Sequence, residues 1–321
     1  MSRRSTHVDA ERAPQPLTSA DAPNPKGSLA VRTHQIDATR SQRNGLSLDV
    51  LTTPSTNVQL VVEPLLDNPR SLTTKVAAVL GGTAVKRPQL TGFLNSEFDP
   101  FLNQLFAAGS VTPREAAEAL DGHPGFVWLA EEPRRGEIGA PGAESLLLVV
   151  MHGMTAATGG PAATPQTEAE IVEVRSPGEL RAWHEVYCEV FGGDERSRPE
   201  WQRVHNALGP AGDHSLLLLL ARVDGSPAAT GAVYFDRDIA GLYSFTTRER
   251  MRGRGLASAL VHASHAAAQA RGVERALLQA TASAQPVYAR AGYREQQTLP
   301  VLVSRLARAS QATVRHGDPT G

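Results

Sequence analysis

Apolar side chains are scattered without period through residues 1–55, where Pro, Ser, Thr and Arg recur. Such a stretch cannot bury enough apolar surface to offset the entropy of ordering it. We expect a flexible tail over 1–55, and a second over 309–321. Regular patterns begin after the first. The apolar run at 58–62 predicts a strand, and Ser71 is placed to cap a helix that ends at Leu80, before Gly81 and Gly82. Spacings of three and four predict helices over 98–108 and 113–120. Runs at 126–130 and 145–151 predict strands joined by a loop rich in Gly and Pro. Together these would form a smaller α+β domain over 56–155. Residues 156–168 carry two glycines and two prolines, the composition of a linker.

A denser pattern fills 169–308, and a second domain is expected there. Residues 170–174 predict a strand, and 177–191 a helix stopped by Gly192 and Gly193. Strands 216–223 and 228–235 flank Asp224-Gly225-Ser226, a hairpin signature. A third strand spans 239–247. A helix follows over 256–271, with Leu256, Leu260, Ala263, Ala267 and Ala270 on one face. A strand at 273–280, a short helix at 284–291 and a strand at 294–304 complete the series. The strand–helix–strand unit from 239 to 280 requires parallel strands with a right-handed crossover, while the hairpin before it is antiparallel. The fold class is therefore α+β with a mixed sheet.

Charge and composition remove several function classes. The 321 residues carry 32 basic and 33 acidic side chains, so a nucleic-acid partner is not expected. No purely apolar run exceeds that at 216–221, which is far short of a membrane span. Arg3-Arg4 is followed by Pro14, Pro16, Pro23 and Pro25 rather than an apolar stretch, so export is not expected and the chain is placed in the cytoplasm. Cys188 is the single cysteine, which rules out an intramolecular disulfide.

The most informative stretch is Arg252-Gly253-Arg254-Gly255-Leu256-Ala257, between a strand and a helix. Glycines let a backbone approach a ligand closely, a helix start offers unpaired amides, and the arginines add positive charge. By itself this describes either an anion site or a tight glycine turn. A P-loop would need Gly-Lys-Ser/Thr, and a dinucleotide fingerprint would need glycine where Ser258 stands.

In context, Arg252-x-x-Gly255-x-Ala257 resembles the coenzyme A loop of the GNAT acetyltransferase superfamily. Downstream, Tyr288 followed by Gly292-Tyr293 resembles that family's second signature. The resemblance implies a GNAT-like acyl-CoA N-acyltransferase fold for 169–308, with acetyl-CoA as co-substrate; His262 and His265 stand three apart on a helix with no third ligand in sight, so no metal is expected. It implies that the strand before the loop splays from its neighbour, so that Phe245, Thr246 and Thr247 pair with the pantetheine arm. The amides of Gly253, Arg254, Gly255, Leu256, Ala257 and Ser258 would hold the pyrophosphate, with Arg252 beside them. Tyr288 would be the acid that protonates the departing thiolate.

An alkyl amine is protonated at neutral pH, so direct attack on the thioester needs a base. Glu185, Glu189, Asp236 and Asp238 are candidates, none singled out. His262 and His265 are expected to be exposed polar residues, and His205 and His214 to lie on the substrate side. Some members of that superfamily carry two such folds in tandem, one of them degenerate, and the amino-terminal half would suit a partial copy; no Arg-x-x-Gly-x-Ala loop occurs there, so it would hold no coenzyme site and serve as scaffold, substrate wall or dimer surface. The expected function is an N-acetyltransferase acting on a primary amine of a small molecule or peptide in a ternary complex, as monomer or homodimer. The alternative is a non-catalytic acyl-CoA-binding sensor, and a third, disfavoured, is a dinucleotide enzyme.

Overall fold

A computed structural model describes residues 59–134, 136–159 and 167–304. The predicted tails and most of the predicted linker lie outside these residues. The elements in chain order are α1 (Gln59–Leu80), β1 (Thr83–Arg87), β2 (Leu90–Leu94), β3 (Gln104–Ala107), α2 (Pro113–Leu120), β4 (Phe126–Trp128) and β5 (Leu146–Ala157). The second half comprises β6 (Glu170–Glu173), α3 (Pro177–Phe191), α4 (Arg198–Leu208), β7 (Leu216–Val223), β8 (Ser226–Asp236), β9 (Ile239–Thr247), α5 (Leu256–Gln269), β10 (Arg275–Ala280), α6 (Gln285–Arg290) and β11 (Arg294–Ser304).

All eleven strands join in one mixed sheet, in the order β1-β2-β3-β4-β11-β5-β10-β9-β8-β7-β6. One plan is used twice. β1, β2 and β3 are antiparallel neighbours, α2 crosses over, and β4 lies parallel to β3. β7, β8 and β9 repeat this, α5 crosses over, and β10 lies parallel to β9. Each copy ends in a long strand, and those two strands are exchanged. β11 pairs with β4 of the first copy, β5 pairs with β10 of the second, and the two pair with each other from Arg294↔Thr155 to Ser304↔Leu146. The boundary expected at 156–168 therefore does not divide the sheet. Separating the halves would break three strand ladders, β4–β11, β11–β5 and β5–β10.

Local chemistry explains the helix ends. Ser176 caps α3 in a reciprocal capping box with Glu179, Pro177 starts the first turn, and Gly192 ends the helix with φ 70°. The strand 216–220 is covered on both faces. Leu217 and Leu219 pack with Leu256 and Leu260 of α5. Leu216, Leu218 and Leu220 pack with Trp183 and Tyr187 of α3 and Trp201 of α4. Each such apolar side chain is worth roughly 1.5–3 kcal/mol when fully buried.

Several expectations are corrected. Residues 59–62 begin a helix of 22 residues rather than a strand, and Ser71 lies inside it. The buried positions Leu65, Asn68, Pro69, Thr73, Val76 and Ala77 recur at helical spacing. The helix expected at 98–108 is a 3-10 turn, Pro100–Leu102, followed by β3. Asp99 caps that turn, and the buried Asn103 side chain accepts from the amides of Asn95 and Ser96, which holds the chain in a bend. β5 extends to Ala157, into the expected linker. On α5 the buried face runs through Leu256, Ala259, Leu260, Ser264, His265 and Ala268, leaving Ala270 exposed.

Candidate active site

The site is built around a defect in β9. Tyr243 pairs with Ala232 and Thr246 with Thr230, so Ser244 and Phe245 together face the single residue Gly231. This is a β-bulge. Ser244 takes φ 54°, an uncommon value for a residue with a side chain. Glycine at 231 makes room: a Cβ there would lie 3.0 Å from the Phe245 ring. The Gly231 carbonyl accepts a hydrogen bond from Trp183 Nε1 at 3.2 Å, and the Ser244 carbonyl one from Thr230 Oγ1 at 3.2 Å. The extra residue turns β9 away from β10. Their parallel pairing ends at Leu242↔Leu278, although β9 continues to Thr247 and β10 to Ala280. A wedge-shaped gap opens there, and Phe245, Thr246 and Thr247 lie on its β9 side. Thr246 Oγ1 is buried without a partner among the described residues.

The predicted loop follows directly. A 3-10 turn, Glu249–Met251, leads to exposed Arg252. Gly253 and Gly255 both take φ 76°, where a Cβ would be strained. Gly255 is the N-cap of α5, and no side chain caps that helix. The first-turn amides at Leu256, Ala257 and Ser258 are left for an outside acceptor, at the positive end of a helix of 14 residues. Arg254 is exposed and reaches Met251 Sδ at 3.4 Å. Such a loop fits a pyrophosphate.

Tyr288 stands across the gap on α6. Its ring packs edge-on against Phe245 at 6.4 Å and against Tyr293 at 5.9 Å. Burial raises its phenol pKa above the ordinary value, so the hydroxyl stays protonated and able to donate. The gap opens into a cavity of about 390 Å³. Ser244, Phe245, Ala280, Thr281, Ala284 and Tyr288 line its gap end, and the far wall comes from the amino-terminal half, with Phe101, Gln104, Phe126, Trp128, Val149 and Met151.

The other singled-out side chains are dispersed. None of the four carboxylates proposed as base lines the cavity. Glu185 is exposed, Glu189 pairs with Arg248 at 3.0 Å, Asp238 pairs with Arg275, and Asp236 ends β8 opposite Ile239, away from the bulge. His265 is buried, not exposed, and bonds the Tyr293 hydroxyl through Nε2 at 2.9 Å. Burial lowers its pKa. His205 is also buried, with Nε2 on the Val174 carbonyl at 2.9 Å, and His214 is exposed. Cys188 is buried beside His184, and burial pushes its thiol pKa up to about 12.

Two features escaped the sequence reading. Asp99 is fully buried and accepts hydrogen bonds from Tyr187 Oη (2.9 Å), Trp201 Nε1 (2.7 Å) and the Phe101 amide (2.9 Å). Burial raises its pKa against these donors. Through the Trp201 indole and the Phe101 backbone amide it holds two residues that line the cavity, which Asp99 itself does not line. The other is α4, whose buried Trp201, Val204, His205 and Leu208 follow the spacing that betrays a helix.

Comparison with known proteins agrees with this geometry. Residues 180–293 match the model of the acetyltransferase (GNAT) family. A functionally unknown conserved protein from Staphylococcus epidermidis superposes with a TM-score of 0.52 at 12% identity, over 70% of this chain and 94% of that one. A GCN5-related N-acetyltransferase-like protein from Streptococcus suis superposes with a TM-score of 0.51 at 14% identity, over 77% of this chain and 98% of that one. No curated protein sequence matches the chain. The family match supports acetyl transfer in general terms. The carboxy-terminal half of this chain has the GNAT acetyltransferase fold.

Proposed function

We propose that the protein is an N-acetyltransferase that moves an acetyl group from acetyl-CoA to a primary amine by direct attack. The observation that carries this reading is the gap between β9 and β10, with an uncapped anion-binding helix start at one end and Tyr288 beside it. The loop amides from Gly253 to Ser258 would take the pyrophosphate, and Arg252 and Arg254 would add charge. The unpaired β9 edge at Phe245, Thr246 and Thr247 would pair with the pantetheine amides. The amine nitrogen attacks the thioester carbonyl from the cavity side. The carbon–sulfur bond breaks, and the Tyr288 phenol protonates the departing sulfur. Buried Cys188, with its raised pKa, is unsuited to an acyl-enzyme route.

The amino-terminal half then serves as the acceptor wall and as a degenerate copy without its own coenzyme site. The test is release of free thiol from acetyl-CoA across an amine panel, alongside calorimetry for acetyl-CoA. Turnover that drops in Tyr288→Phe while acetyl-CoA still binds supports the reading. Binding without turnover on any amine would favour a sensor, and absence of binding would end the proposal.

A further inference from the structure

The acceptor cavity differs from what an alkyl amine needs. Among the described residues that line it there is no carboxylate, histidine, lysine or arginine. Its ionisable lining groups are Tyr243 and Tyr288. The Tyr243 hydroxyl donates to Asn68 Oδ1 at 2.6 Å, and burial holds its pKa well above the ordinary tyrosine value. Tyr288 is likewise held protonated. Neither can accept a proton from an ammonium. The nearest buried carboxylate, Asp99, is closed off by its three donors. An unpaired ammonium buried in such a space would lose its hydration with no counter-charge to replace it, and nothing on the walls would deprotonate it. The walls are instead largely apolar, and Phe101, Phe126, Trp128, Phe191, Trp201 and Phe245 set aromatic rings among their aliphatic side chains. The volume, about 390 Å³, lies in the range of small-molecule sites.

Resting on the N-acetyltransferase reading, we propose that the acceptor is an uncharged aromatic amine whose ring lies among these side chains. Its nitrogen is a nucleophile without prior deprotonation, which removes the need for a general base. An alcohol of the same shape is also neutral but attacks poorly without one. In the reaction the nitrogen lone pair forms the new bond to the carbonyl carbon. The carbon–sulfur bond breaks, sulfur takes the Tyr288 proton, and the proton shed by nitrogen returns to the phenolate. The products are the N-acetyl aromatic amine and coenzyme A thiol, and the proton count closes with no further reactant.

The experiment compares the full chain acting on aniline and 4-methylaniline with benzylamine and 2-phenylethylamine, from pH 6 to 9, with acetyl-CoA binding measured separately. The expected result is a kcat/KM at pH 7 at least about tenfold higher for the anilines. The aniline rates should be flat with pH, while the alkyl amine rates climb roughly tenfold per pH unit as their neutral fraction grows. A preference for benzylamine or 2-phenylethylamine at pH 7 overturns the proposal. So does turnover of alkyl amines that rises when octanoyl-CoA replaces acetyl-CoA, because the cavity would then hold the acyl chain. If acetyl-CoA binds and the anilines are not acetylated, this inference fails and the acetyltransferase reading survives. If acetyl-CoA does not bind, both fall together.

Discussion

The chain builds the same crossover twice and finishes the two helix starts in opposite ways. At α2, Thr112 is the N-cap, its hydroxyl accepts from the Glu115 amide, and the Glu115 carboxylate accepts from the Thr112 amide at 2.8 Å. The positive end of that helix is satisfied by its own side chains, and a carboxylate already occupies the place of an anion. At α5 the corresponding residues are Gly255 and Ser258, and no side chain caps the helix. The strands before these helices differ in the same sense. β3 pairs without a bulge on one side, and all three residues of β4 pair with it on the other. β9 is bulged and parts from β10 after Leu242. A closed crossover and an open one thus share a topology. What separates scaffold from site is a few residues that leave backbone groups unpaired.

The sharpest way to break this contrast is to give α5 the cap of α2. Gly255→Thr combined with Ser258→Glu sets Thr and Glu at the spacing of Thr112 and Glu115. The expected outcome is a loss of acetyl-CoA affinity of at least about 100-fold, roughly 3 kcal/mol, read by calorimetry. Circular dichroism should report the same helix content. Unchanged affinity would mean that the loop is only a turn.

Tyr288→Phe comes next. It should lower kcat roughly 100-fold, with the KM for acetyl-CoA nearly unchanged, because in the proposed reaction the hydroxyl acts on the departing sulfur. The wild-type pH profile carries the same information. The phenol donates only while protonated, and burial holds its pKa above 10.0, the usual tyrosine value. Activity on a neutral acceptor should therefore show no descending limb up to that pH; a fall near it would remove Tyr288 from the role. Arg254→Ala has a smaller expected effect, about fivefold weaker acetyl-CoA binding, since one exposed side chain supplements the amides.

The open crossover was more legible than the closed one, for a physical reason. Strand and helix bounds at Pro177–Phe191, Ile239–Thr247 and Arg294–Ser304 agree with the sequence pattern to the residue. Caps, glycine stops and period-two runs there all point one way. In the amino-terminal half the helix at Pro113–Leu120 is equally legible, but around it local signals conflict with the fold. The run at 58–62 suits a strand in isolation, and only packing along Leu65, Thr73 and Val76 makes it the start of a helix. The apolar spacing of 98–108 is overruled by Asp99 and Asn103, whose partners are distant in sequence. The glycine loop and Tyr288 stood out because two motifs lie in order along the chain and together resemble one family; alone, the loop read equally well as a turn. The bulge at Ser244, the aromatic cavity and the exchange of β5 and β11 were not, since each depends on which strands become neighbours.

The mildest test runs in the other direction, opening α2. Thr112→Gly with Glu115→Ser removes the capping box and should cost about 1–2 kcal/mol, visible as a fall of several degrees in Tm. The pH dependence of that loss has a defined sign. The Thr112 amide and hydroxyl lower the Glu115 pKa, so its contribution is present above the unfolded carboxylate value and disappears as pH falls through the folded one. The gap in stability between variant and wild type should therefore narrow below about pH 4. Acetyl-CoA should still bind at one site per chain with unchanged affinity. An uncapped helix start is one requirement and a splayed strand pair another, and β3 and β4 remain fully paired in this variant. A second binding event in the titration would show that the free amides of α2 suffice, and the bulge in β9 would lose its place as the feature that separates the two crossovers.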